Sequence, residues 1–302
     1  MTDPAARICA PTLDRRCHAF RPDLADIRLK GRVEAARFVE GWPKRILAAS
    51  TPIRREPRPD AAIDSEALHG EVVLVFEDTA EGWAFVQLET DCYVGYVSSD
   101  ALGPVDPSPT HRVTALRTFI YPEADLRRPP IGFLPYGAAP ALGGEVVTRG
   151  ALYRLLVGCR GAVAAAHVAP LEAEPAPDFV AIAERFLETP YLWGGRTSLG
   201  LDCSALVQMS LAAVGIKAPR DSDQQAALLG TVVADGLSGD RRRGDLVFWP
   251  GHVGMLADPA TLLHASGYEM QVVAEPLDEA VARIARTSGL PTMVRRIAFE
   301  EE

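Results

Sequence analysis

The sequence contains no apolar run of the roughly 18 residues that a membrane-spanning helix needs. Its first 20 residues also lack the apolar segment of a secretory signal peptide, and they include Asp3 and Asp14. We therefore expect a cytoplasmic protein with no membrane partner. A processed chain that has lost its leader is the alternative, and Met1 at the start argues against it.

Cysteine is scarce and scattered, and acidic residues outnumber basic ones. The five cysteines form no Cys-x-x-Cys pair, which argues against a disulfide framework or a zinc ribbon: Cys9, Cys17, Cys92, Cys159 and Cys203. The net charge of −9 argues against nucleic acid as a partner, because phosphate binding requires a basic surface. We expect no cofactor and no metal. The oligomeric state stays open.

The 302 residues provide room for two or three domains. Runs rich in β-formers, separated by turn signals, occur twice in the first 170 residues. They lie at Val72–Phe76, Trp83–Leu88 and Tyr93–Val97 and again, more weakly, at Leu152–Val157 and Gly161–Val168. We predict an N-terminal arm, two small all-β barrels and a final larger domain, with boundaries at 1–46, 47–105, 106–172 and 178–302. Within the arm, residues 23–39 have a loosely helical apolar pattern.

The last domain is predicted to be α+β, with helices on one face of an antiparallel sheet. Asp178 precedes an amphipathic pattern that reaches Leu187, and a second short helix is expected to reach Leu229. The apolar run 246–249 predicts a buried strand, followed by strands that contain His252 and His264. A last helix is expected over 278–284 and a last strand over 293–299.

One stretch of this domain, from Tyr191 to Gln208, is typical of a catalytic loop. A glycine-rich segment leads into Asp202 and Cys203, and an apolar run then ends before Gly215. This pattern predicts that Cys203 lies in the first turn of a helix capped by Asp202. Backbone N–H groups and the helix dipole there should lower the pKa of the thiol and favour the thiolate. The alternative is a buried, unreactive cysteine.

Two histidines supply the base that thiolate chemistry requires. His252 and His264 lie 12 residues apart in consecutive predicted strands, so antiparallel pairing would place both rings on one face. His252 would then accept the Cys203 proton, and His264 would orient His252. Two histidines satisfied by the backbone are the alternative. A zinc site is a third interpretation, although one Cys and two His leave it a ligand short.

These blocks resemble the NlpC/p60 family of cell-wall cysteine peptidases. The resemblance rests on Thr189-Pro-Tyr-Leu-Trp-Gly-Gly, Leu201-Asp-Cys-Ser-Ala-Leu-Val, Arg220-Asp-Ser-Asp-Gln-Gln, Gly244-Asp-Leu-Val-Phe-Trp, Gly251-His-Val-Gly-Met and Leu263-His-Ala-Ser. It implies a papain-like α+β fold, with Cys203 as nucleophile, His252 as base and His264 as the orienting residue. It also implies that Tyr191 helps to form the oxyanion site and that Asp202, Ser204 and Ser222 line the substrate pocket.

The segments Ile53-Arg-Arg-Glu-Pro, His69-Gly-Glu-Val-Val, Gly82-Trp-Ala-Phe-Val and Tyr93-Val-Gly-Tyr-Val-Ser resemble a bacterial SH3-like domain. Two such domains before the peptidase resemble a subgroup that cleaves γ-D-glutamyl–diamino acid bonds in released murein peptides. That resemblance implies a murein tri- or tetrapeptide substrate, and recognition of its free N-terminal amine by Glu71 and Tyr96. Ordinary barrel roles are the alternative for these two residues.

Other functions stay open. A secreted hydrolase of intact cell wall and an acyltransferase on the same scaffold are the alternatives to a recycling peptidase. Arg196 and Arg220 could meet substrate carboxylates, but solvated surface positions are the favoured interpretation for both.

Overall fold

A computed structural model describes residues 13–298, and the chain divides into two compact units, 13–174 and 175–298. The two units are taken in turn. Within the described residues, no helix is both long and apolar enough to cross a membrane.

Residues 23–39 form no α-helix, so the helix expected there is wrong. The N-terminal segment contains strands β1 (Ala25–Asp26) and β2 (Phe38–Val39), which pair in parallel, and a single 3-10 turn over Ile27–Leu29. Buried side chains of this segment pack on the neighbouring barrel, in a cluster of Ala19, Leu24, Phe76 and Phe85. Of the apolar residues in that pattern, Leu24 is buried and Ile27 is exposed, so the spacing marks no single helix face.

The first barrel is a seven-stranded antiparallel sheet with the order β5-β4-β8-β7-β6-β3-β9. Its core consists of aliphatic side chains that alternate along the strands, among them Ile46, Val75 and Val86. The three strands expected in this barrel are present as β6, β7 and β8. The bounds are β3 Trp42–Ile46, β4 Ser50–Arg54, β5 Ile63–Leu68, β6 Val72–Asp78, β7 Trp83–Leu88, β8 Val94–Ser98 and β9 Leu102–Gly103.

Residues 106–172 contain seven shorter strands. β10 pairs with β16, β11 with β12, and β13, β14 and β15 form a three-stranded sheet, all antiparallel. A small core of Val113, Leu134 and Ala138 lies between them. The bounds are β10 His111–Val113, β11 Arg117–Ile120, β12 Gly132–Pro135, β13 Leu142–Thr148, β14 Ala151–Leu156, β15 Ala162–Ala164 and β16 Val168–Pro170.

The second unit is α+β. A six-stranded antiparallel sheet has the order β19-β24-β20-β21-β22-β23, and a two-stranded hairpin, β17 and β18, precedes the apolar helix that begins at Cys203. The helices are α1 Phe179–Glu184, α2 Cys203–Ala213, α3 Ser222–Leu228 and α4 Leu277–Ser288. The strands are β17 Arg196–Thr197, β18 Gly200–Leu201, β19 Thr231–Asp235, β20 Leu246–Trp249, β21 His252–Asp258, β22 Thr261–Ser266, β23 Gln271–Pro276 and β24 Met293–Arg296.

Element ends differ from expectation where tertiary contacts replace local signals. Helix α1 is capped by Asp178, as predicted, but it ends at Glu184 instead of Leu187. Helix α4 extends to Ser288, beyond the predicted end at residue 284, and Leu277 and Ala280 at its start are buried on the sheet. The last strand ends at Arg296, and Phe299 of the predicted strand lies outside the described residues.

Candidate active site

Cys203 is the first residue of α2, and the loop before it is held by a cap. The Asp202 carboxylate accepts hydrogen bonds from the backbone N–H groups of Ala205 at 2.9 Å and of Gly194 at 2.9 Å. The loop also depends on Gly195, where an added Cβ would lie 2.5 Å from the carbonyl oxygen of Gly200. The predicted cap is confirmed. The cap and the close approach together fix where α2 begins.

The Cys203 thiol is buried beside the start of β21. Burial, together with the negative charge of Asp202, raises the pKa of this thiol to about 12, although the backbone N–H groups of Val253 and Ser204 lower it. The expected net fall in pKa is therefore wrong. The helix N-terminus favours the thiolate as expected, but removal of the sulfur from water has the larger effect.

The two histidines contact each other directly. Nε2 of His252 lies 2.7 Å from Nδ1 of His264, and the two rings meet nearly edge to face. The predicted pairing on one sheet face is confirmed, since β21 and β22 are antiparallel and the separation is even. Burial, and then the neighbouring His264 and Arg283, lower the pKa of His252 to about 3. His252 is therefore a neutral base over most of the pH range.

Glu275, which the sequence reasoning missed, extends this row. Its Oε1 lies 2.7 Å from Nε2 of His264, and Arg283 donates to both carboxylate oxygens. Burial raises the pKa of Glu275, but the hydrogen bonds from Arg283 and His264 outweigh it and lower that pKa to about 2. The sequence signal for Glu275 is weak, because its position follows from the β22–β23 register, in which it pairs with Leu262.

Within residues 13–298, no group of three or more His, Cys, Asp or Glu side chains is arranged to hold a metal ion.

The ring nitrogens of His252 and His264 that face each other are at hydrogen-bond distance, so they share a proton. The arrangement is thus a buried thiol, a neutral imidazole and a second imidazole tied to a carboxylate. Such a set can deprotonate a thiol as it attacks a carbonyl carbon.

Two family models match the chain. Residues 188–287 match the NlpC/P60 family, and residues 53–102 match the bacterial dipeptidyl-peptidase Sh3 domain. The chain carries an NlpC/P60 domain and a bacterial SH3 domain. The resemblance of the motif blocks is thereby confirmed for these two domains.

Curated relatives match this chain over only part of their own length. The dipeptidyl-peptidase 6 of Lysinibacillus sphaericus is 36% identical over 101 residues, which are 33% of this chain and 36% of that protein. The γ-D-glutamyl-L-lysine dipeptidyl-peptidase of Bacillus subtilis (strain 168) is 34% identical over 98 residues, 30% of this chain and 32% of that protein. The chain thus spans about a third of the length of these relatives.

Solved structures agree on the fold. An NlpC/P60 family protein from Bacillus cereus ATCC 10987 aligns with a TM-score of 0.66 at 20% identity, covering 84% of this chain and 99% of that chain. The papain-like NlpC/P60 fold predicted for the last domain is therefore confirmed as a fold.

Tyr191 lies at the start of the catalytic loop of the NlpC/P60 domain. Its backbone pairs with Leu201, and its half-buried ring lies near Gly267, where an added Cβ would be 3.9 Å from Cζ. Burial, and then the charge that Cys203 would carry, raise the pKa of Tyr191. A neutral hydroxyl near Cys203 is a possible hydrogen-bond donor, and its oxyanion role stays a prediction.

Arg220 of the NlpC/P60 domain is not a surface residue. It is 1% exposed and forms a bidentate ion pair with Asp202, with N–O distances of 2.9 and 2.7 Å. Arg196 is also buried, so the interpretation of both arginines as solvated is wrong. The residues next to Arg220 in the sequence gave no sign that it is buried, because its partner Asp202 lies 18 residues earlier in the chain.

Two of the three residues predicted to line the substrate pocket, Asp202 and Ser204, bond directly to Arg220. Ser204 is buried, donates to Asp202 at 3.2 Å and accepts from Arg220 at 2.9 Å. Ser222 begins α3 and is half-buried. Their contact with substrate stays a prediction. The bonds that Ser204 and Asp202 make within the protein hold the loop in front of Cys203.

The SH3 domain does not bring Glu71 and Tyr96 together. The register places Tyr96 opposite Phe85, whereas Glu71 lies just before β6, beyond the pairing of Val73 with Leu88. The two are about five residues apart along the strands, on the order of 16 Å. Tyr96 accepts a hydrogen bond from Arg21 at 2.9 Å, and Glu71 accepts one from the backbone N–H of Leu68 at 2.7 Å. Joint recognition of one amine by this pair is therefore not supported.

Proposed function

We propose that this protein is a cysteine peptidase that hydrolyses the amide bond between γ-D-glutamate and an L-diamino acid, diaminopimelate or lysine, in small murein peptides with a free N-terminal L-Ala. Its role would be in cell-wall recycling. The observation that carries this proposal is the placement of Cys203 at the start of α2, with its thiol at the backbone N–H of Val253 next to His252, together with the His252–His264 pair. All three lie within the matched NlpC/P60 segment.

The pKa directions define the first chemical step. The thiol and the imidazole are both neutral at rest, since burial raises the pKa of Cys203 to about 12 and lowers that of His252 to about 3. The sulfur therefore attacks the amide carbon as its proton passes to His252. The imidazolium next protonates the leaving amine of the diamino acid, and the C–N bond breaks.

The second half of the reaction returns the enzyme to its first state. Water attacks the γ-D-glutamyl thioester as His252 accepts its proton, and the C–S bond then breaks with return of a proton to Cys203. The negative oxygen formed in both halves needs donors in a dry site. The Cys203 backbone N–H at the start of α2, where helices leave N–H groups without an internal partner, and the hydroxyl of Tyr191 are proposed for this role.

The substrate class is supported by the occurrence of the NlpC/P60 and SH3 segments in one chain. The SH3 segment matches a domain described for bacterial dipeptidyl-peptidases, and two relatives of the chain are dipeptidyl-peptidases by name. An enzyme that removes a dipeptide must read a free N-terminal amine. We also infer that residues 106–172 are a second SH3-like barrel, since their short antiparallel strands follow the order of the first.

The test compares L-Ala-γ-D-Glu-diaminopimelate, its lysine analogue and the N-acetylated form of each. Wild type should release L-Ala-γ-D-Glu from the free peptides and cleave the acetylated ones at least about 10-fold more slowly. Cys203→Ala should reduce cleavage by at least about 10⁴-fold. Cys159→Ala, the same change at an exposed cysteine, is the matched control. Equal cleavage of free and acetylated peptides would contradict the free-amine requirement.

An endopeptidase of intact cell wall is the second candidate. It is favoured by relatives named as a probable endopeptidase in Corynebacterium glutamicum and as peptidoglycan endopeptidase RipB in Mycobacterium tuberculosis. Release of soluble peptides from purified sacculi at a rate similar to that on free peptides would support it over the recycling role. Transfer of the acyl group to added amines, in preference to water, would instead indicate an acyltransferase.

A further inference from the structure

The two histidines can hold the proton between them in two ways. A single proton lies between Nε2 of His252 and Nδ1 of His264, and either ring can own it. If the His252 nitrogen carries the proton, a neutral His252 has a bare Nδ1 that can accept the Cys203 proton. If His264 carries it, Nδ1 of a neutral His252 is protonated and cannot act as the base. The two rings alone do not choose between these states.

We propose that Glu275 is a positioning residue that sets the tautomers of both histidines, and so leaves Nδ1 of His252 free to accept the thiol proton. The proposal rests on the proposed function, because it assigns His252 the role of base. Glu275 does not touch the reacting atoms, since it acts through His264.

The geometry carries this inference step by step. An ionised carboxylate only accepts hydrogen bonds, so the 2.7 Å contact with Glu275 requires a proton on Nε2 of His264. A neutral His264 then has a bare Nδ1, which accepts from Nε2–H of His252. His252 in turn has a bare Nδ1. With His264 neutral, one acceptor at the end of the row thus determines the tautomer of both rings.

The carboxylate is held in place and kept charged. Glu275 lies opposite Leu262 in the β22–β23 ladder, two residues from His264 on the same sheet face. Arg283 of α4 donates to both of its oxygens, and the same guanidinium lies 5.1 Å from the centre of the Tyr268 ring. Burial opposes ionisation, but these hydrogen bonds lower the pKa of Glu275 to about 2.

Glu275→Gln tests the charge with almost no change in shape. Arg283 would hold the amide oxygen, so that the amide N–H₂ faces Nε2 of His264 and reverses every tautomer in the row. Glu269→Gln is the matched control, because Glu269 is exposed and acts on the same arginine through space. Glu275→Asp keeps an acceptor of the same charge.

The primary readout is the set of ¹⁵N shifts of the ring nitrogens of His252 and His264 in the full chain near pH 7. We expect a bare Nδ1 on both rings in wild type and in Glu269→Gln, and a protonated Nδ1 on His252 in Glu275→Gln. Glu275→Asp should restore part of the wild-type pattern. A protonated Nδ1 on either ring of wild type would overturn the proposal without any variant, as would unchanged tautomers in Glu275→Gln.

The second readout is the rate of alkylation of Cys203 by iodoacetamide, with Cys203→Ala as the blank for the other cysteines. Glu275→Gln should slow it by roughly 10- to 100-fold, and Glu269→Gln should leave it unchanged. Neither readout uses the peptide, so wild type that passes both and cleaves no murein peptide would contradict the proposed function alone. An unchanged alkylation rate in a folded Glu275→Gln would count against the tautomer assignment.

Discussion

Two arginine–carboxylate pairs support the two sides of the site, and they differ in burial. Arg220 and Asp202 lie under the nucleophile, where the arginine is 1% exposed and the pair also bonds Ser204 and the loop backbone. Arg283 and Glu275 lie behind the base, with side chains that are 19% and 15% exposed. Since a fully buried charge depends on its partner, the first pair should matter most for stability. The Arg283–Glu275 pair should matter most for the tautomers of His252 and His264.

The largest expected effect comes from breaking the buried pair. Arg220→Ala should lower the free energy of unfolding by about 3–5 kcal/mol, because it leaves the Asp202 carboxylate without its partner inside the protein. Arg283→Ala should cost only about 1 kcal/mol, since water partly screens this less buried pair. Urea unfolding of both variants measures the difference. Equal losses would mean that burial does not separate the two pairs.

A smaller effect is expected from a change at Gly254, which lies in β21 two residues after His252. An added Cβ at Gly254 would lie 2.7 Å from Cδ1 of Leu262 and 3.1 Å from Cβ of His264. Gly254→Ala should therefore lower the free energy of unfolding by about 1–3 kcal/mol and displace His264. It should also reduce kcat by up to about 10²-fold, as measured on the free murein peptide.

Gly267→Ala is the control for that change. It lies just beyond β22, and its added Cβ meets the Tyr191 ring at an ordinary distance of 3.9 Å. Stability and kcat should stay close to wild type. If Gly254→Ala behaved in the same way, the close packing of β21 against His264 would not be needed to align the row.

The smallest effect is the acid dependence of the partly buried Arg283–Glu275 pair. Glu275 has a folded pKa of about 2, against a usual 4.5, so its contribution to stability is present above pH 4.5 and is lost as pH falls towards 2. Glu275→Gln should remove on the order of 1 kcal/mol of this loss, after screening. Unfolding by urea at several pH values between 2 and 7 checks the slope, with Glu269→Gln as reference. Parallel curves for the two variants would contradict the assignment.

Much of the site was predictable because its signals are local. The cap residue Asp202 directly precedes Cys203, and a left-handed Gly215 follows the helix, as its φ of +81° confirms. The even spacing of His252 and His264 in strand patterns predicted a shared face. The helix expected in the N-terminal arm was wrong because a long-range contact decides the structure there. Leu24 is buried against the first barrel and does not lie on a helix face.

By itself, the sequence determined which residue begins α2 and which two rings lie together, because caps, glycines and strand alternation act over a few residues. Only the tertiary structure decided that burial outweighs the helix N-terminus at the Cys203 thiol, that Arg220 lies inside the protein, and that Glu275 ends the histidine row. Each of these depends on partners brought from distant parts of the chain by the strand register and the fold. Desolvation and ion pairing are set by those neighbours, and no short pattern in the sequence records them.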